Sequence, residues 1–341
     1  MKKLFLSAAF LAASLASQAQ QAPLWMRYPA ISPDGKTIVF SYKGDIYSVP
    51  ATGGEARQLT TNAAHDFYPI WSPDGKKIAF ASNREGSFDV YVMSAHGGAP
   101  TRITTNSERE IPVAFKDNDH VLFSANIMPT AESNLFASRE FSQVYEVSTQ
   151  GGRPKLYSVI PMEDISINAK GQVLYHDSKG YEDQWRKHHT SPITRDIWML
   201  DNGKYQKITA FKGEDRTPVW AADGESFYYL SEQAGSFNIY HRNIATGKDV
   251  QLTHEKKNPI RFLTSSADGL LCYAYVGEIY SVKEGAQPQK VNISITADND
   301  EPSLVRQVRS WGATEIALSP DAKEVAFVMH GDVYVTSTEY K

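Results

Sequence analysis

A serine nucleophile on a glycine elbow, a zinc helix with paired histidines, or a phosphate loop would each leave a recognisable spacing. Neither G-x-S-x-G, H-E-x-x-H nor a glycine-rich phosphate loop occurs in the 341 residues. The single cysteine, Cys272, sits in the apolar stretch 270–275, where an inert buried thiol is expected. Alone it can form neither an intrachain disulfide nor a thiolate zinc cluster. His176, Asp177, Asp183, His188 and His189 gather in one polar region, but nothing sets them at a ligand spacing. The chain is therefore read as holding no catalytic residue, no metal and no cofactor, and its chemistry is expected to be recognition.

Recognition residues need elements to hold them, and here one unit is repeated along the chain. ISPDGKTIVF (31–40) recurs as WSPDGKKIAF (71–80), FKDNDHVLF (115–123), INAKGQVLY (167–175), WAADGESFYY (220–229), SSADGLLCY (265–273) and LSPDAKEVAF (318–327). Each copy is followed by a second mark: GDIYSV (44–49), FDVYVM (88–93), SQVYEV (142–147), RDIWML (195–200), FNIYHR (237–242), GEIYSV (277–282) and GDVYVT (331–336). Most copies close on a third, Leu59-Thr60, Ile103-Thr104, Ile208-Thr209 or Leu252-Thr253. From Tyr47 to Tyr334 the period averages about 48 residues, the length of a four-stranded propeller blade.

Each S-P-D-G reads as a tight turn, with proline presetting φ and Asp-Gly accepting the remaining backbone angles. These aspartates are architecture. Stretches such as Ile78-Ala79-Phe80 are apolar on both faces, as strands packed between two sheets must be. The seventh copy runs out after its third strand, and a long irregular connection (292–309) precedes it. The expectation is an all-β chain: a six-bladed propeller over 25–309, then the opening of a second, incomplete propeller over 310–341.

Composition agrees. Aromatic residues reach 11%, which favours strands, and the hydrophobic share of 41% supplies a sizeable core. Thirty-five basic against 39 acidic residues give −4, which argues against nucleic acid as a partner. Lys2 and Lys3, the apolar run 4–15 and small residues at Ser17 and Ala19 form a secretory leader cleaved after Ala19. The run is too short to span a bilayer, which takes about 20 apolar residues. A periplasmic or secreted protein without a membrane span is expected.

The repeated unit S-P-D-G-K-x-I-A-F, D-[IV]-[YW], G-G and [IL]-T resembles the blades of TolB-type propellers, prolyl oligopeptidases and tricorn peptidases. Six blades directly after the leader, a seventh motif, and the loop GYEDQWRKHHTSPITRDIW (180–198) resemble the bacterial tricorn-like serine peptidases most. That resemblance implies a non-catalytic N-terminal propeller that gates or channels peptides, with catalytic domains outside this stretch. Whether the chain itself belongs to an active enzyme is left open. The alternative is a TolB-like periplasmic propeller that docks another protein.

Loop length points to the face that does the work. From second- to third-strand aromatic the step is 7 positions in blade one (Phe40 to Tyr47) and 11 in blade two (Phe80 to Tyr91). Blades three and four take 22 (Phe123 to Tyr145) and 23 (Tyr175 to Trp198), and blades five and six return to 11 and 7. In an up-and-down meander these insertions, at 126–139 and 177–194, share a face with the blade crossovers. Function gathers where long loops meet on a rigid scaffold. Trp185, Arg186, His188 and His189 of the second insertion, with Asp66, Glu110, Asp215 and Arg216 at the crossovers, are the candidate contacts. Their expected partners are peptides, downstream domains of the same polypeptide, or a second copy of the chain.

Overall fold

The computed structural model describes residues 23–127, 142–180, 191–296, 310–329 and 331–339. The leader and residues Trp185, Arg186, His188 and His189 lie outside them.

Six four-stranded antiparallel sheets follow one another along the chain. Blade one comprises Arg27–Ile31, Thr37–Tyr42, Asp45–Pro50 and Arg57–Gln58, from inner to outer strand. Blade two comprises Asp66–Trp71, Lys77–Glu85, Ser87–Ser94 and Thr101–Arg102. The inner strands of blades three to six are Ile111–Phe115, Met162–Ile167, Asp215–Trp220 and Arg261–Ser265. Each inner strand packs on the next, and that of blade six on that of blade one, so the sheets form a closed ring.

The repeated residues explain why the blades look alike. Every aromatic pair read from the sequence is directly opposed across two strands: Phe40 with Tyr47, Phe80 with Tyr91, Phe123 with Tyr145, Tyr175 with Trp198, Tyr229 with Tyr240, and Tyr273 with Tyr280. Ring centroids in blades one, two, three and six lie 5.7–6.0 Å apart and stack, which adds to simple area burial. The threonine marks also have a task. Thr60, Thr104, Thr209 and Thr253 each accept a backbone N–H of the third strand, from Ile46, Val90, Ile197 and Ile239, at 2.8–2.9 Å. The outer strand is thus pinned to its neighbour.

The core is divided among the seams between blades. Val39 and Ile46 of blade one meet Ile78 and Phe80 of blade two, while Ile38 and Phe40 face Cys272 and Ile279 of blade six. Both faces of a blade are therefore core, which is why middle strands such as that of Ile78, Ala79 and Phe80 are apolar on both sides. The sequence reading missed how the ring is finished. Ile293–Ser294 runs parallel to Gly54–Glu55, tying the chain after blade six beneath blade one. Val291 and Ile293 are buried in that closing seam. Gly53 permits the approach: its φ is 88°, and a Cβ there would stand 2.5 Å from the Asn292 carbonyl.

The seventh motif forms a three-stranded sheet of Ala313–Leu318, Glu324–Met329 and Asp332–Ser337, with Phe327 opposite Tyr334 as in every blade. Unlike the others it is exposed on both sides: Ile316 is 71% and Val335 61% accessible. None of its residues enters the six seam cores.

Candidate functional site

Each inner strand carries a bulge where its register against the second strand shifts. In five of them a residue within the bulge is left-handed without being glycine: Tyr28 (φ 52°), Tyr68 (59°), Asp164 (49°), Thr217 (53°) and Phe262 (59°). Such a conformation costs on the order of 1 kcal/mol or more per residue and persists only where packing imposes it. These five side chains face a cavity of about 710 Å³ on the ring axis.

They touch one another there. The Tyr28 ring lies 4.6 Å from Phe262 and 5.0 Å from Tyr68. Tyr68 donates its hydroxyl to Asp164 Oδ1 at 2.7 Å, and Thr217 donates to Oδ2 at 2.6 Å. The Tyr68 bond joins blade two to blade four in front of blade three. His176 supports this group from behind. Its Nδ1 accepts the Thr217 backbone N–H at 3.2 Å, which assigns the ring proton to Nε2, 3.1 Å from Glu163 Oε2. Burial opposes charge on Glu163, yet His176 and Arg195 outweigh it and hold the carboxyl down to about 2. On the loop-face side Arg109 stacks over Phe67 and Phe88 at 5.5 and 5.6 Å.

The crossover residues singled out from the sequence divide into two groups. Arg216 lines the cavity, with its guanidinium 4.2 Å from the Phe237 ring and 3.4 Å from Glu214. Asp66, Glu110 and Asp215 are closed to solvent at 0–1% exposure, so none presents its carboxylate to a peptide at the ring surface. The reason is the crossover itself. Their backbone N–H groups bond Gly44, Phe88 and Arg195 of the preceding blade, which turns the side chains into the seams.

Each then meets a carboxylate of the D-[IV]-[YW] mark next door. Glu110 stands beside Asp89, and burial pushes both upward. Burial raises Asp45 to about 6, aided by the charge of Asp66, and raises Asp215 to about 6, aided by Asp196. Basic side chains complete the seams: Arg84 at 2.6 Å from Asp66, Arg102 at 2.9 Å from Asp89, and Lys207 at 2.9 Å from Asp196. The other flagged groups are likewise tied up. Asp177 accepts from the Asp196 backbone at 2.8 Å and from the Trp198 indole at 3.1 Å. Burial pushes the Cys272 thiol far above its ordinary range. Among the described residues no group of three or more His, Cys, Asp or Glu is placed to hold a metal ion.

A ring of six such blades with this cavity can be compared with known proteins. The model of the tricorn protease N-terminal β-propeller domain matches residues 23–288. The chain belongs to that family. Tricorn protease homolog 1 of Streptomyces coelicolor is 25% identical over 280 residues, which cover 80% of this chain and 25% of the relative. The chain thus spans about a quarter of that protein's length. The crystal structure of tricorn protease superposes with a TM-score of 0.68 at 20% identity, over 92% of this chain and 30% of that one. TolB from Acinetobacter baumannii shares the fold at a TM-score of 0.55 and 16% identity, over 76% of this chain and 60% of that one.

Within this tricorn-type propeller the family match ends at residue 288, before the closing strand and the exposed seventh sheet. Sequence reasoning passed over Tyr28, Tyr68, Thr217 and Phe262 as site residues and weighed His176 only as a metal ligand. One signal was present: Tyr28, Tyr68 and Thr217 each precede a proline at the same place in the repeat. The cavity also adjoins both insertions. Asn126 and Ser142 at the ends of the blade-three loop line it, as do His176 and Arg195, which flank that of blade four. Among the described residues no helix is long and apolar enough to cross a membrane.

Proposed function

We propose that this chain is the non-catalytic N-terminal propeller of an exported serine peptidase of tricorn type. Its ring gates or channels peptides towards catalytic domains carried elsewhere on the polypeptide. In this reading residues 1–19 are the export leader, 25–309 the ring, and 310–341 the first strands of a second propeller. The observation that carries it is the axial cavity, whose wall holds the residues flanking both long insertions. In this reading Trp185, Arg186, His188 and His189 are contacts for peptide or for a neighbouring domain, since aromatic and arginine side chains are favoured at interfaces. Arg216 is the crossover residue placed to meet an occupant of the cavity. The seam carboxylates Asp66, Glu110 and Asp215 hold the frame.

The test is the Trp185→Ala, Arg186→Ala double variant in the polypeptide that carries the peptidase domains. Peptide processing or domain docking should weaken about thirtyfold, the effect of losing one interface hot spot. The ring's melting temperature should not change. Unaltered processing and docking would remove the insertions from the functional face. The TolB fold likeness supports a second reading, in which the same face docks an envelope protein and no peptide enters. A protein that binds no extended peptide but captures a folded partner through the insertions would favour that reading.

A further inference from the structure

We propose that Tyr68, Asp164 and Thr217 form a latch across the axial channel, and that an extended peptide occupies the channel only after Tyr68 leaves Asp164. This rests on the channelling reading above. The geometry that argues for it is the span of the Tyr68 side chain. It starts in the inner strand of blade two and reaches an acceptor in blade four, passing blade three. A side chain serving only its own seam would bond within its blade, as Arg84 does to Asp66, or to an adjacent blade, as the Trp71 indole does to the Ala30 carbonyl. The bulge of blade three contributes no left-handed residue, and the Tyr68 side chain crosses the cavity in front of it.

Everything around the acceptor is fixed. Asp164 takes a second bond from Thr217, whose backbone N–H is held by His176, itself held by Glu163. The donor hangs on two rotatable bonds against the ring of Tyr28, which packs in turn on Phe262. One side is a rigid receiver and the other a swinging arm. The left-handed backbone at Tyr28, Tyr68, Asp164, Thr217 and Phe262 is what aims all five at the axis.

A latch that must open before binding lowers apparent affinity by the fraction of molecules already open. Removing its hydrogen bond, while leaving the ring of Tyr68 in place, therefore tightens binding. The probe is a fluorescein-labelled ten-residue peptide of alternating serine and valine, titrated by anisotropy into the intact chain and its Tyr68→Phe variant. The variant should bind about fivefold more tightly, the worth of one ordinary hydrogen bond. Asp164→Asn serves if the first variant folds poorly, since asparagine tolerates the left-handed backbone and can keep only one of the two acceptor roles. Equal or weaker binding by a folded variant overturns the latch and leaves channelling intact. Absence of binding in every form, wild type included, removes the channelling reading and the latch with it.

Discussion

Carboxylates supply the clearest chemistry at the scale of single residues. Asp45 and Asp215 sit in seams where burial, reinforced by Asp66 and Asp196, raises each to about 6. The folded ring therefore holds protons there that the unfolded chain gives up near pH 4. The stabilisation is complete below about pH 4 and is lost as pH rises through about 6. A neutral isostere removes that loss. Asp215→Asn should accordingly melt at a higher temperature than wild type at pH 8 and at the same temperature at pH 4, followed by circular dichroism across the range. A parallel shift at both values would assign the effect to packing rather than to proton linkage. Cys272, by contrast, should resist a thiol reagent until the ring is unfolded, because it is closed in the seam between blades six and one.

The threonine pins matter most at the scale of the strand. Thr104 accepts the Val90 N–H inside a seam where water cannot replace it. Thr104→Val keeps the shape and removes the acceptor, so the expected cost is about 1–3 kcal/mol, read from urea unfolding. The same change in Thr60, Thr209 and Thr253 should cost a similar amount, because each repeats the same bond. At the closing strand, Gly53→Ala places a Cβ against the Asn292 carbonyl and strains a left-handed backbone. It should destabilise the ring by about 1 kcal/mol or more, and hydrogen exchange should quicken first at 54–55 and 293–294.

For the whole molecule the question is which residues belong to the ring. Ending the chain after residue 309 removes a sheet that shares none of the seam cores, so the melting temperature should stay within about 2 °C. Ending it after Lys290 also strips Val291 and Ile293 from the closing seam. Losing two buried aliphatic side chains costs about 3–5 kcal/mol, a drop of roughly 10 °C for a domain of this size. If both truncations melt alike, the closing strand adds nothing to the ring and the ring boundary is misplaced.

Much of this was legible in the chain alone because a blade is a local object. Turn chemistry at Ser72-Pro73-Asp74-Gly75, aromatic pairs such as Phe80 and Tyr91, and threonines such as Thr104 act within some forty residues, and their repetition makes each visible. The number of blades followed by counting. What only the tertiary structure decided lies between blades. Asp66, Glu110 and Asp215 read as exposed crossover charges, yet backbone bonds to the preceding blade turn them into the seams. Tyr28, Tyr68 and Phe262 went unread in the sequence, yet a bulge with φ near 50–60° points each at the axis. Tyr68 and Asp164 are 96 residues apart, and closure of the ring is what brings them within a hydrogen bond. Periodicity reports which residues share a face of one sheet. It carries no information about a register shift or about which distant side chains a closed ring brings to its centre.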